Sequence, residues 1–292
     1  MGFCVFMKFE KITYQNVKKL FPFLYRCDYG LCDYAPMVLL LWCGFFDYAF
    51  AIEKDKLFIR QLRNGEIEYL LPVGGDLKDG LAMLKSYCEK IGQSLRLVAV
   101  PQNRKDEVEK ILGVPLKEMD QGDFDYSYLA KDLISLTGRR YNGQRNHVNR
   151  FRRDNPSAVF RPLLPQDKPL LLDFLKEYHK DDASETYSYD VRAVKEFVER
   201  FDEFDFLGGA IFCDEKIVAF AFGDKIGDTL FVHVEKCLRA YSGVGESINR
   251  GFADCFAQKD TLFVNREEDM GDLGMRKAKM SYFPLIRKKF TT

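Results

Sequence analysis

Between Thr229 and Lys236 the side chains fall into two alternating sets, Thr229, Phe231, His233 and Glu235 against Leu230, Val232, Val234 and Lys236. A period of two marks a strand whose faces meet different surroundings, so His233 and Glu235 are expected on one side. The chain then turns through Ser242-Gly243-Val244-Gly245-Glu246 into a helical period of Ile248, Phe252, Cys255 and Phe256, followed by an apolar strand from Thr261 to Val264. The same order occurs earlier. Glu66 to Leu71 reads as a strand, Gly74-Gly75 as a turn, and Leu77, Leu81, Leu84 and Cys88 as one helix face closed by Gly92; Leu95 to Val100 is the next strand. The two copies lie roughly 165 residues apart, the mark of one supersecondary unit used twice.

Elsewhere the pattern predicts strands at Met37 to Trp42, Tyr48 to Glu53 and Leu57 to Leu62, and a helix from Asn103 to Leu112 stopped by Gly113 and Pro115. Ala35 to Ile52 carries only Asp47 as a charge, but Gly44 and Asp47 divide it into strand-length pieces, which argues for buried strands over a membrane span. In the second half Val159 to Leu163 reads as a strand, and Asp167 to His179 and Val191 to Phe201 as helices. The polar stretch between those helices, Lys180 to Ser188, is a candidate lid or substrate loop. Leu207 to Cys213 and Lys216 to Gly223 form a hairpin around Asp214-Glu215. A chain of 292 residues suits two domains. They are placed at 1–135 and 158–292, joined by a basic helix at 136–157, with the presumed site in the C-terminal one.

Charge narrows the function classes. Lys+Arg and Asp+Glu both number 44, so nucleic acid can be met only by a local patch. That patch would be Arg139 to Arg153, with six arginines and no acid. Tyr141, Val148 and Phe151 make a buried stripe in it, while Asn142, Asn146, Asn149 and Arg153 make another. A solvated basic helix explains a charge run, yet Arg and Asn together suit planar recognition of phosphate or carboxylate. His147 within it is read as a structural hydrogen-bonder. The eight cysteines are scattered, and Cys27-x4-Cys32 has no histidine or second pair beside it. No metal site is expected, and reduced thiols fit a cytoplasmic protein. Met1 to Phe9 lacks the features of a signal peptide.

A Gly-x-Gly bend before a helix can cradle a diphosphate, although most such bends only make a turn. Ile248 stands where the nucleotide-binding fingerprint needs its third glycine, which disfavours a Rossmann fold. Near the C-terminus, acids precede cations and Pro284 follows, as in a helix from about Gly271 to Ser281 matched to its dipole. Asn265-Arg-Glu267-Glu268-Asp269 directly follows a strand end, where α/β folds place ligand-contacting loops.

Four stretches carry a family resemblance: Arg145-Asn146-His147-Val-Asn149-Arg-Phe, Val232-His233-Val-Glu235-Lys236, Asn265-Arg-Glu267-Glu-Asp269-x-Gly and Gly274-Met-Arg276-Lys277-Ala-Lys279-x-Ser281-Tyr282-x-Pro284. They resemble bacterial relatives of the phosphatidylglycerol lysyltransferase C-terminal domain over nearly the whole chain. The resemblance implies an α/β (α+β) fold of two tandem N-acetyltransferase-like (GNAT) domains, as in Fem-type aminoacyl transferases. It implies an activated co-substrate, acyl-CoA or aminoacyl-tRNA, lying where the strands at Thr229 and Thr261 part. The acceptor would be an amine or hydroxyl on a small molecule or cell-envelope precursor. The multi-span membrane domain of lipid-modifying members has no counterpart here.

On this reading Ser242, Gly243, Val244, Gly245 and Glu246 hold the donor, and the backbone at Val234 polarises its carbonyl. Glu235, with His233, takes the acceptor proton, burial raising the Glu235 pKa, and Tyr282 protonates the leaving group. Arg145, Asn146, Asn149, Arg276, Lys277 and Lys279 contact acceptor or donor phosphates, while Asn265, Glu267 and Asp269 orient the acceptor. Two alternatives stay open: a tandem fold that binds its ligand without turnover, and an RNA-contacting module.

Overall fold

The computed structural model describes residues 7–178 and 185–292. The lid expected over Lys180 to Ser188 lies outside the described residues up to position 184, and so do the first six residues of the N-terminal segment. The remaining lid positions open a helix, α8 below.

The chain forms two compact units. One takes the described residues up to Tyr126 together with Glu268–Arg276 and Ile286–Thr292; the other takes Ser127–Glu267 and Lys277–Leu285. Each unit thus incorporates a segment from the far side of the simple boundaries at 135 and 158.

In the first unit β1 (Glu10–Lys11), β2 (Ala49–Glu53), β3 (Lys56–Arg63) and β4 (Glu66–Tyr69) form an antiparallel meander in that order. Helices α1 (Phe21–Leu24) and α2 (Pro36–Leu41) precede β2. The strand expected at Met37 to Trp42 is therefore helix. Pro36 supplies a preformed first turn, and all six residues of α2 are buried. A run that is apolar on every side has no period to separate strand from helix. Helix α3 (Leu77–Lys90) starts at Asp76, whose side chain accepts from Asp79 N at 2.9 Å, and buries Leu81, Leu84 and Cys88. Tyr69 at the end of β4 makes a parallel bridge with Leu97, which leads to β5 (Val100–Pro101). Helix α4 (Lys105–Leu112) ends at Gly113 in the left-handed region, and β6 (Lys117–Glu118) follows. The C-terminal strand Lys289–Thr291 inserts between β5 and β6, antiparallel to both.

The second unit begins within β7 (Asp125–Leu129) and runs through α5 (Ala130–Ser135), α6 (Asn142–Asp154), β8 (Val159–Pro162), α7 (Lys168–Tyr178), α8 (Glu185–Arg200), β9 (Leu207–Cys213), β10 (Lys216–Ile226), β11 (Thr229–Cys237), α9 (Val244–Phe256) and β12 (Phe263–Asn265). Helix α10 (Leu273–Met280) follows that strand. These strands pair in the order β7-β12-β11-β10-β9-β8, with β11 and β12 parallel and the other neighbours among these six antiparallel, and the strand Leu285–Arg287 adds a seventh beside β7. Phe174, Phe197, Phe220 and Phe222 make an aromatic core on the β10 face, with ring centroids 5.0 Å apart for Phe174–Phe220 and Phe197–Phe222. Tyr141, Val148 and Phe151 are buried, as the stripe on the basic segment predicts.

One irregularity shapes the site. Phe222 faces Val234 and Gly223 faces Val232, so His233 is the extra residue of a β-bulge. A Cβ at Gly223 would stand 1.9 Å from the Phe231 carbonyl oxygen, and the strands can approach this closely only at glycine. Among the described residues no helix is long and apolar enough to cross a membrane.

Candidate functional site

Both units contain the strand–turn–helix–strand element, and in both the parallel strands part. In the second unit β11 and β12 pair at Thr229–Phe263, Leu230–Val264 and Phe231–Asn265; β12 then ends while β11 continues to Cys237. The opening is flanked by Glu235 and by Arg266, whose Nη2 donates to both Glu235 oxygens at 2.9 and 3.0 Å. The guanidinium lies 5.5 Å from the Tyr282 ring centroid. With the Asn249 amide turned so that its oxygen faces the guanidinium, it accepts from Arg266 Nη1 at 2.6 Å and Nε at 2.7 Å. Burial disfavours charge on Arg266, but Glu235, Tyr128 and Tyr282 together outweigh it and hold the group more firmly protonated than usual. Burial likewise raises the Tyr282 pKa, so the phenol keeps its proton.

The corresponding opening in the first unit is plugged. The Tyr34 hydroxyl donates to the Ala99 carbonyl at 3.1 Å and accepts from Leu71 N at 3.0 Å, filling the space between the diverging chains. Asp55 and Lys56 close against the double-glycine turn, since a Cβ at Gly75 would stand 2.5 Å from Asp55 Oδ2 and Lys56 Nζ. In the second unit the chains beyond Phe231 are linked instead by side chains, Glu235 to Arg266 and His233 to Glu267.

His233 is not placed as a base. Its side chain has no exposure and sits between Asp224, 3.1 Å from Nε2, and Glu267, in contact with Nδ1. Burial alone would disfavour the imidazolium, but the Asp224 charge and hydrogen bonds to both carboxylates prevail and push the pKa up to about 10. Both ring nitrogens are thereby engaged by carboxylates.

Several other expected contacts are turned inward. Lys279 is buried and donates to the carbonyls of Arg266 at 2.6 Å and Glu267 at 3.2 Å, fixing the loop after β12. Asn265 is fully buried and accepts from Glu267 N at 2.8 Å, an Asx-type turn. Arg145 donates to the Leu136 and Gly138 carbonyls and to Asn142. In the first unit Asp269, also fully buried, accepts from Tyr126 and makes two contacts with Arg276, at 2.7 and 2.8 Å. Each of these five residues is hydrogen-bonded within the fold. Asn146, Asn149 and Lys277 are exposed.

At the turn before α9, Gly243 has φ +82°, and a Cβ there would meet the His147 carbonyl oxygen at 2.3 Å. Its close approach is spent on α6. Ser242 lies beside it, Val244 is buried, and Glu246 occupies the first turn of α9. Val234 is buried and pairs with Phe222.

Cys32, Asp33 and Asp125 in the first unit come close enough to suggest a metal site. The Lys289 ammonium already stands among them, 2.7 Å from Asp33 and 2.8 Å from Asp125. Sequence reading did not single out Asp224, Asn249, Arg266, Tyr34 or Lys289. For Asp224 a signal existed: it is the first acid after the apolar run Ile217 to Phe222.

Two units, each an antiparallel meander followed by parallel strands that part at a helix, define a tandem GNAT fold. The chain belongs to the family described as phosphatidylglycerol lysyltransferase, C-terminal, which matches residues 33–292. A conserved protein of unknown function from Bacteroides thetaiotaomicron VPI-5482 is 32% identical, with a TM-score of 0.90 over 98% of this chain and 99% of that one. L-PGS from Bacillus licheniformis superposes with a TM-score of 0.67 at 13% identity, covering 97% of this chain and 91% of that one. FemX gives 0.58 at 8% identity, covering 98% and 97%. The last two likenesses show a shared fold. No curated protein matches the chain.

Proposed function

We propose that this chain transfers an aminoacyl group from aminoacyl-tRNA to an amine or hydroxyl acceptor in the cytoplasm, using the opening between β11 and β12. The observation that carries this reading is the contrast between units: Tyr34 fills the opening in the first, while Glu235 and Arg266 flank it in the second. Two features favour an aminoacyl ester over acyl-CoA. Glu246 places a carboxylate at the helix start where a diphosphate would lie, and Gly243 is engaged by the His147 carbonyl.

In the proposed reaction the acceptor attacks the ester carbonyl, a carbon–nitrogen or carbon–oxygen bond forms, and the bond to the ribose oxygen breaks. Arg266 lies beside the developing oxyanion. Glu235 takes the acceptor proton, and Tyr282, kept protonated by burial, gives one to the leaving ribose oxygen. The exposed face of α6, with Asn146, Asn149 and Arg150, supplies contacts for tRNA phosphates. Acceptors of the small-molecule or cell-envelope-precursor class fit this chemistry.

Thermal shifts against aminoacyl-tRNA, deacylated tRNA and CoA thioesters test the donor. Stabilisation by the aminoacylated form above the deacylated one, with none from CoA thioesters, is the expected result. A response to thioesters alone overturns the choice of donor. The tight Arg266–Glu235 pair favours a second reading, binding without turnover. Glu235→Gln separates the two, since catalysis is lost and binding kept only if Glu235 moves a proton.

A further inference from the structure

We infer that Asp224 is a positioning residue for this site: it holds His233 as a cation that ties down Glu267 and so keeps Arg266 turned toward Glu235. The inference rests on the proposed site for its consequence, but on its own geometry for its content.

His233 is the surplus residue of β11, and its ring stacks on Phe231 with centroids 5.8 Å apart. Both ring nitrogens face carboxylates, Asp224 from β10 and Glu267 from the loop after β12. An imidazole presented to two acceptors must carry two protons to satisfy both, so the arrangement is complete only when the ring is charged. Asp224 is 2% exposed.

Glu267 is the loop residue under constraint. Its φ is +57°, a left-handed conformation that a non-glycine residue keeps only when its surroundings impose it. Three contacts do so: the His233 ring at the carboxylate, Asn265 Oδ1 at the amide and Lys279 at the carbonyl. Arg266 is the preceding residue, so relaxation at Glu267 shifts the backbone from which its side chain reaches Glu235. Deprotonating His233 removes one of the two donors, and either buried Asp224 or partly buried Glu267 is then left facing an unprotonated ring nitrogen. The titratable groups facing the ring are these two acids, and Lys279 meets the same loop through its backbone.

The test is a side-chain NMR titration of the three histidines, His147, His179 and His233, in the full chain. His233 is expected to keep imidazolium shifts from pH 6 to beyond pH 8. Asp224→Asn should raise its acid dissociation constant at least tenfold, and Asp224→Glu should restore it. Hydrogen exchange at residues 265–268 should speed up at least tenfold in Asp224→Asn at pH 8, with exchange in α4 unchanged. If Asp224→Asn fails to fold, Glu267→Gln serves instead and should raise the acid dissociation constant likewise.

A wild-type His233 that titrates at or below pH 6.5 overturns the inference, and so does a titration indifferent to both variants. Where transfer is observed, Asp224→Asn should reduce kcat more at pH 8 than at pH 6 with KM little changed. If the wild type transfers nothing, the functional reading fails while the NMR and exchange results still decide this one.

Discussion

Tyr34 and Ala99 are joined by a buried hydrogen bond, hydroxyl to carbonyl at 3.1 Å, and the same oxygen receives the Leu71 N–H. One phenol thereby satisfies backbone groups exposed when the strands of the first unit part. Tyr34→Phe keeps the ring and removes the oxygen, leaving an N–H and a carbonyl without this partner. A loss of about 1–3 kcal/mol is expected, read by urea denaturation. Donor affinity, assigned to the second unit, should not change.

Glu235 and Arg266 flank the opening in the second unit as an ion pair. Their side chains are 21% and 14% exposed, so the pair is neither a surface contact nor sealed. Arg266→Met leaves Glu235 without its cation and should cost about 3 kcal/mol. Glu235→Gln keeps a hydrogen-bonding shape and should be milder for stability. Transfer should nonetheless fall roughly 100-fold in Glu235→Gln, with donor affinity kept, as expected for a group that moves a proton. Steady-state rates and equilibrium binding on the same preparation check both parts.

The repeated strand–turn–helix–strand element was legible because it is local: alternation, glycines and helix stops all lie within about 40 residues of one another. The exchange of terminal segments between units was not. It depends on pairings such as Lys289–Pro101 and Ser127–Asn265, for which no sequence period exists. The same limit governed the site. Glu235 and Tyr282 were named from spacing and resemblance, while Arg266, which bonds Glu235 and lies near the Tyr282 ring, was not. Lys279, Asp269 and Arg276 carry charge that looks ready for a ligand, yet each is consumed by a partner in the fold. Charge in a sequence gives no sign of whether its partner is internal. Met37 to Leu41 failed for a simpler reason, since a helix buried on all sides shows no polar face.

Lys289 holds the C-terminal strand in the first unit through Asp33, Asp125 and Glu268, three carboxylates around one ammonium. Burial pushes the Glu268 pKa up to about 8; Lys289 opposes the shift and Asp33 and Asp125 reinforce it. A carboxyl raised in the fold keeps its proton there while the unfolded chain has released it. Stability therefore declines as pH rises from the ordinary glutamate range near 4.5 toward 8, with the contribution fully present below that window. Glu268→Gln should flatten the decline, so the variant gains on wild type at pH 8 relative to pH 5 in urea titrations. Lys289→Met leaves the carboxylates without their cation and should cost about 3–5 kcal/mol.

The turn before α9 separates glycines that the fold requires from one that it does not. Gly243 has φ +82° and packs on the His147 carbonyl, so Gly243→Ala combines a left-handed penalty of about 1–2 kcal/mol with a clash. Gly245 has right-handed φ, and a Cβ there meets nothing within 4 Å. Gly245→Ala should stabilise the chain by about 0.5–1 kcal/mol, because alanine loses less freedom in a helix. Since the proposed donor brings no diphosphate to this turn, transfer should survive the substitution. Thermal denaturation and turnover measured together give the answer. A variant that is more stable yet no longer binds its donor would show that the donor's phosphates lie against Gly245, and acyl-CoA would then be the better assignment.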